Sequence, residues 1–289
     1  MATLEQKVSD RRLLRLVHQM LKAKVVMPDG VVVSSDEGVP QGGPLSPLLS
    51  NIVLDELDRK LEERGHRFVR YADDCNVYVR SERAGQRVMA SLVDFIERRL
   101  RLKVNRQKSA VSRPEKRHFV GFSLRREPLD GSIEVLLSER SKRCIADKVR
   151  ELTPRNWGQA FSTCITRLNA YLLGWLGFFG VCSEAEARTL HNLDAHIRRR
   201  LRALLLAQWK RRRNIARRLT RLGVNPKLAL RSIFAEHRSL WALSHCAAVD
   251  RGLPVAYFAK CGLVSLEQRW RTLHTQRVTA PVQLTLALG

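Results

Sequence analysis

Arg67-Phe68-Val69-Arg70-Tyr71-Ala72-Asp73-Asp74-Cys75-Asn76-Val77-Tyr78-Val79 is the stretch that decides how this chain is read. Its flanks alternate and carry β-branched and aromatic residues, which predicts two short strands. The acidic pair then falls in the tight turn of a hairpin. Neighbouring carboxylates repel, and a fold seldom sets them side by side without a compensating cation. A turn tip that offers both to Mg²⁺ answers that difficulty, because Mg²⁺ is bound through one or two carboxylates together with substrate phosphates. An isolated Asp-Asp pair is more often a solvated turn, so the surrounding sequence has to decide.

Upstream, Gly38-Val39-Pro40-Gln41-Gly42-Gly43-Pro44-Leu45-Ser46-Pro47 is a loop rich in glycine and proline. Gly42 and Gly43 present backbone without side chains, which lets a flat partner approach closely. Gln41 adds an amide able to hydrogen-bond a base edge or sugar. The loop runs into an amphipathic helix with Leu48, Leu49, Ile52, Leu57 and Leu61 on one side, stopped by Gly65. Farther upstream, Ser9-Asp10 can cap a helix carrying Leu13, Leu16, Val17, Met20 and Leu21.

Downstream of the hairpin, a helix is predicted over roughly 82–101, with Val88, Leu92, Phe95, Ile96 and Leu100 inward. Lys108 follows it; a lone lysine there is usually solvated, but beside a phosphate-handling site it could neutralise a departing pyrophosphate. His118 to Leu124 reads as one strand, whose Gly121 permits close approach, and Ile133 to Leu137 as another. The first half thus mixes helices with short strands, as an α+β sheet domain does.

After about residue 138 the pattern turns helical. Ser183-Glu184-Ala185-Glu186 has the form of a capping box. It is expected to open one long helix that reaches Leu222 and ends at Gly223. Blocks of basic residues lie along it: Arg198, Arg199, Arg200, then Lys210, Arg211, Arg212, Arg213, Arg217 and Arg218. Asn225-Pro226 restarts the chain into a smaller helical tail. Trp157, Trp175, Trp209, Trp241 and Trp270 read as core rather than as stacking platforms.

Charge supports a nucleic-acid partner. The 289 residues carry a net charge of +24. Residues 1–137 hold 25 basic and 19 acidic side chains, whereas residues 138–289 hold 27 and 9. A field of that sign and concentration favours a polyanion. No apolar run has the length of a membrane span and the N-terminus has no signal-peptide core, so a cytoplasmic protein is expected. The six scattered cysteines form no C-x-x-C, and neither a zinc ribbon nor a disulfide framework is indicated.

The order and spacing of these pieces resemble the later palm motifs of reverse transcriptases, and most closely those of group II intron-encoded reverse transcriptase/maturases. The matching stretches are Pro40 to Asn51, Arg70 to Asp74, Leu102 to Lys108 and Phe119 to Phe122. Leu168-Asn169-Ala170-Tyr171-Leu172-Leu173-Gly174-Trp175-Leu176-Gly177-Phe178-Phe179 is similar to the maturase-specific segment that follows the palm. Arg231 to Trp241 and Gly262 to Leu266 look like the C-terminal tail of bacterial members.

The resemblance implies a partial palm over 1–137, with an antiparallel sheet packed on helices. An all-helical thumb/maturase domain over 138–223 and a helical tail over 224–289, a candidate DNA-binding segment, would follow. It also implies roles. Asp73 and Asp74 would be the palm carboxylates for Mg²⁺, with Lys108 beside the leaving pyrophosphate. Gln41, Gly42, Gly43, Pro44, Tyr71 and Ala72 would line the nucleotide and template site. Phe119, Val120, Gly121 and Phe122 would grip the primer, and the basic blocks would hold RNA. The implied partners are intron RNA, target DNA, primer-template and dNTPs.

One departure bears on activity. The family places a further palm Asp on a strand ahead of the helix that here begins near Ser9, after a fingers region, and neither is found in this sequence. Asp10, Asp29 and Asp36 sit in a helix cap, a turn and a loop. The expectation is an incomplete metal set, completed by a separate N-terminal half or a second copy. The alternative is a remnant that binds structured RNA as a splicing maturase without polymerising. The sequence shows no Cys/His endonuclease module, so no DNA cleavage is expected.

Overall fold

The computed structural model of the chain describes residues 1–23, 25–26, 32–33, 45–154, 156, 158–235 and 239–279. Helices predominate, with small antiparallel sheets between them, an arrangement compatible with an α+β class. Two compact units, Met1–Arg113 and Pro114–Gly289, divide the chain.

The first unit opens with α1 (Ala2–Lys7) and α2 (Arg11–Lys22). Asp10 caps α2, accepting from the backbone N–H of Arg12 (2.8 Å) and Leu13 (3.2 Å). A minimal antiparallel pair, β1 (Val25–Val26) and β2 (Val32–Val33), follows. Then come α3 (Ser46–Glu63), β3 (Arg67–Tyr71), β4 (Asp74–Tyr78) and α4 (Glu82–Asp94), whose last turn widens into a π turn over Phe95–Arg99.

Leu54, Leu57 and Leu61 of α3 are buried against Phe68, Cys75 and Val77 of the hairpin and Leu92, Phe95, Ile96 and Leu100 beyond. Their i, i+3, i+7 spacing sets the inward face. Leu48, expected inward, is therefore out of phase and 56 % exposed. α3 ends as its glycine predicts: Gly65 (φ +67°) lets the N–H of His66 reach Leu61 O (3.0 Å) and its own N–H reach Glu62 O (2.8 Å).

The second unit opens with a meander: β5 (His118–Phe119), β6 (Phe122–Arg126) and β7 (Ile133–Leu137). The single strand expected over His118–Leu124 is two strands, because Val120 (φ +50°) and Gly121 (φ +81°) form a two-residue turn that pairs Phe119 with Phe122. Consecutive positive φ values are the signature of a type I′ hairpin turn. Helices α5 (Glu139–Leu152), α6 (Phe161–Phe179), α7 (Ala187–Trp209), α8 (Arg212–Arg221) and α9 (Pro226–Phe234) follow. The chain then forms α10 (Leu240–Leu243), α11 (Ala247–Gly252), α12 (Val255–Lys260) and α13 (Leu266–Thr279).

Two expectations fail here for physical reasons. Ser183 and Glu186 do not form a capping box. Ser183 instead extends β7, donating its N–H to Val135 O (2.8 Å) and accepting from Val135 N–H on Oγ (2.8 Å). Glu186 accepts from the N–H of Leu137 (3.1 Å) and meets Lys142 at 3.2 Å. Both side chains thus satisfy the outer edge of β7, which would otherwise be open.

The long helix to Leu222 is broken at Lys210 (φ +60°, ψ −83°). An unbroken helix would carry the stripe of Leu201, Leu205 and Trp209 straight into Arg212 and Arg213. The break resets the phase, so that Ile215 and Leu219 are buried instead.

One core runs through this unit, from Leu137, Ile145 and Leu168 to Leu253, Phe258 and Trp270. The segment after Gly223 is therefore packed into the same core as the helices before it. Trp175, Trp209 and Trp270 are buried in it, while Trp157 lies outside the described residues. Among the described residues no helix is long and apolar enough to cross a membrane.

Candidate active site and nucleic-acid interface

The β3–β4 hairpin pairs Arg67 with Tyr78, Phe68 with Val77, Val69 with Asn76, Arg70 with Cys75 and Tyr71 with Asp74. Ala72 and Asp73 are left as the two turn residues. Alternation then sorts the side chains: Phe68 and Arg70 turn toward α3, while Val69 and Tyr71 are exposed, Tyr71 at 59 %. Asp74 shares the open face with its cross-strand neighbour Tyr71, and Asp73 projects from the turn itself.

Both carboxylates are exposed, and among the described residues no lysine, arginine or histidine forms an ion pair with either. Asp73 accepts a hydrogen bond from Ser50 Oγ on α3 (2.8 Å).

Arg70 braces the tip. Its Nε donates to both carboxylate oxygens of Asp58 (2.8 and 3.0 Å), and its Nη1 donates to Asn51 Oδ1 (2.7 Å) and to Ala72 O (2.9 Å). Its side chain is only 13 % exposed. Hydrogen bonding to Asp58 raises the guanidinium's already high pKa, outweighing its partial burial. A planar fork of five donors can serve three partners at once, which a lysine cannot do. The carbonyl it holds belongs to Ala72, whose φ of +51° is strained for a residue with a Cβ. Beside Asp74, burial pushes the Cys75 thiol up to about 11, so it stays neutral and adds no charge to the acidic pair.

An open cleft of about 590 Å³ lies against the hairpin, lined by Asn51, Asp58, Phe68, Arg70, Tyr71 and Ala72. Two adjacent carboxylates, unpaired with any cation among the described residues, fit the donor set that Mg²⁺ takes from a protein when phosphates supply the rest. Among the described residues no group of three or more Asp, Glu, His or Cys is assembled for a metal.

The other expected site residues fall as follows. Gln41, Gly42, Gly43 and Pro44 lie outside the described residues. Lys108 is exposed on a turn whose backbone is held by Asn105, at 3.2 Å from its carbonyl and 3.1 Å from its Oδ1. That segment is seated by Gly85 of α4, where an added Cβ would stand 2.5 Å from Val111 Cγ1.

Phe119, Val120, Gly121 and Phe122 form the β5–β6 turn. Gly121 O accepts from Ser141 Oγ (2.7 Å) and Ser138 N–H (2.9 Å), and Phe122 stacks on Phe178 at 5.9 Å and meets the tilted ring of Phe179 at 5.3 Å.

The basic residues divide into two groups. Lys210, Arg211, Arg213, Arg217 and Arg218 are exposed at the start and along the outer face of α8. Arg198, Arg199, Arg200 and Arg212 are half-buried. Arg200 caps the C-terminal end of α5, donating to Thr153 O (2.6 Å), Thr153 Oγ1 (3.0 Å) and Arg150 O (3.0 Å). Arg212 donates to Ile233 O (3.3 Å).

The chain matches two family models. One, for reverse transcriptase (RNA-dependent DNA polymerase), covers residues 4–124. The other, for the group II intron maturase-specific domain, covers residues 142–223. Protein YkfC of Escherichia coli (strain K12) is 44 % identical over 64 residues, 22 % of this chain and 16 % of that protein. The putative COX1/OXI3 intron 2 protein of Saccharomyces cerevisiae is 34 % identical over 61 residues, 21 % of this chain and 7 % of that protein. The chain thus matches only a small part of the length of these relatives. A polymerase segment bearing a braced acidic hairpin, followed in order by a maturase segment, places the chain in the group II intron-encoded reverse transcriptase/maturase family.

Proposed function

We propose that the chain works on intron RNA, copying it into DNA at the Asp73–Asp74 tip and binding it through its basic helical unit to assist splicing. Residues 1–137 then serve as a partial palm, 138–223 as thumb and maturase, and 224–289 as a tail that can also meet DNA. The partners are intron RNA, target DNA, primer-template and dNTPs, in the cytoplasm. The observation that carries this reading is the acidic hairpin tip itself: two exposed carboxylates with no cation paired to them among the described residues, held by Ser50 and by the Arg70–Asp58 brace.

Asp73 and Asp74 would hold Mg²⁺, which when bound supplies Lewis-acid stabilisation to the attacking and leaving oxygens of nucleotidyl transfer. The remaining roles belong to the chain. Ser50 orients Asp73, and Arg70 fixes the turn so that neither carboxylate has to reorganise as substrate arrives. Tyr71 and Ala72 present the tip to a nucleotide, with Gln41 to Pro44 as the proposed opposite wall. Lys108, a compact cation, would neutralise or protonate the departing pyrophosphate. The turn from Phe119 to Phe122 would grip the primer.

Primed RNA template, dNTPs and Mg²⁺ test the enzymatic reading. Extension is expected, and Asp73→Ala or Asp74→Ala should abolish it; extension unaffected by either substitution contradicts the assignment.

A second reading, RNA clamping without polymerisation, is favoured by one observation: Lys210, Arg211, Arg213, Arg217 and Arg218 are exposed at and along α8, a basic surface that can meet RNA without the acidic tip. It predicts no extension but RNA binding that weakens steeply with salt, as counterion release requires.

A further inference from the structure

A cleft of about 610 Å³ opens between α7 and the segment from His245 to Val255. Arg198, Arg199 and Arg202 of α7 line it together with His196, His245 and Asp250. Three guanidinium groups therefore share a wall with one carboxylate, and that carboxylate is already engaged. Asp250 is ion-paired with Arg202 and lies 3.2 Å from His245 Nδ1. Arg202 also donates to Leu253 O (3.0 Å), so it serves the fold by tying α11 to α7.

Among the described residues no carboxylate compensates the other two arginines. Arg199 lies over the Trp241 ring, 4.2 Å from its centroid, with one long contact to Trp241 O (3.5 Å). Its Nε is buried and, among the described residues, has no hydrogen-bond partner. The same holds for His196 Nε2. Among the described residues no carboxylate pairs with Arg198. Buried polar atoms left without a partner are uncommon, and each calls for a ligand, ion or water.

We propose that this cleft binds a phosphate group, with Arg198 as its principal ligand, Arg199 and His196 as donors in its wall, and the Trp241 ring holding Arg199 in place. The site would lie between α7 and the C-terminal helices, which take part by positioning Arg199 and closing one end rather than by touching the anion. Asp250 keeps Arg202 and His245 fixed and excludes a second anion from that end. The phosphate could be a diester of bound RNA or a free phosphate, and only the RNA source rests on the function proposed above.

The full chain and its Arg198→Ala and Arg198→Gln variants would be compared in two assays. The first is anisotropy of a 5′-labelled single-stranded 12-mer RNA across a salt series. Losing one phosphate contact should flatten the slope of log K against log salt by about 0.7 and weaken binding about 5-fold near 0.1 M salt. Arg251→Ala, an exposed arginine outside the cleft, should change affinity less than about 2-fold.

The second assay is the shift in thermal midpoint on adding inorganic phosphate at constant ionic strength. A shift lost in Arg198→Gln, with RNA binding unchanged, assigns the cleft to a free phosphate; the reverse assigns it to RNA. A wild-type chain that binds no RNA would count against the proposed function, and the phosphate assay would still decide the cleft. If neither assay distinguishes the Arg198 variants from wild type, or if Arg251→Ala is as damaging as they are, the proposal is overturned.

Discussion

Arg70 Nε donates to both oxygens of Asp58, at 2.8 and 3.0 Å, from the strand position two before the hairpin turn. Through the same guanidinium, the Ala72 carbonyl is tied to α3. The acidic tip is therefore an extension of α3 rather than a free loop. Arg70→Ala would leave Asp58, which is 23 % exposed, without its cation. The expected cost is about 2 kcal/mol, since a half-buried carboxylate loses its charge-assisted hydrogen bonds. Arg70→Lys keeps charge but cannot serve Asp58, Asn51 and Ala72 together, so it should recover only part of this. Urea unfolding of the three proteins checks it; equal stability of wild type and Arg70→Ala contradicts the brace.

The β5–β6 turn makes an opposite pair of predictions. Gly121 has φ +81°, and an added Cβ would stand 2.7 Å from Ser141 Oγ and 3.0 Å from Phe179 Cε1. Gly121→Ala should destabilise the second unit by about 2 kcal/mol through backbone strain and crowding. Val120, β-branched at φ +50°, is also strained. Val120→Asn creates the Asn-Gly pair that such turns favour and should stabilise by about 1 kcal/mol. Thermal melts that move in the same direction for both variants would contradict the turn geometry.

How much of this was legible depended on the distance over which each signal acts. The hairpin was readable because alternation from Phe68 to Tyr78 is a local pattern. The brace was not, because Asp58 lies on another element. The available clue was an arginine at an inward position of the strand, next to Phe68.

The capping-box motif at Ser183 misled because the unpaired edge of β7, 48 residues away in sequence, competes for the same side chains. The break at Lys210 could have been found: four consecutive basic residues interrupt the apolar stripe there.

Two motifs that looked separate turn out to touch. Asn169, from the Leu168–Phe179 segment, donates to Gly262 O (2.7 Å) and accepts from Val264 N–H (3.0 Å). The N-terminus of α13 is capped from α7 by Asp194, which is 4 % exposed and accepts from Ser265 Oγ and the N–H groups of Leu266 and Glu267.

The docking of α13 should weaken in acid. A hydrogen bond from His191 Nδ1 (2.8 Å) lowers the Glu267 carboxyl below its ordinary range, against a smaller opposing effect of burial. A depressed carboxyl stabilises the folded state fully above its unfolded value, near about 4.3. That contribution is lost as pH falls through the lower folded value. Thermal midpoints of wild type and Glu267→Gln should therefore converge between about pH 5 and pH 3. A constant difference across that window would contradict the pairing.

Thiol reactivity offers an independent check of the hairpin. With the Cys75 thiol pushed up to about 11, only about one molecule in a thousand carries the thiolate at pH 8. Cys144 is exposed. In a mass-resolved iodoacetamide time course, Cys144 should be alkylated well ahead of Cys75. Faster labelling at Cys75 would mean that the β4 face does not pack on α3.

The central claim is that Asp73 and Asp74 form a divalent-metal site at a braced turn. Electron paramagnetic resonance of Mn²⁺, a Mg²⁺ substitute, titrated into the full chain without nucleotide, tests it without requiring catalysis. Loss of free-Mn²⁺ signal in wild type, restored in the Asp73→Asn/Asp74→Asn double variant, is the predicted result. Equal Mn²⁺ binding by the two proteins would contradict it.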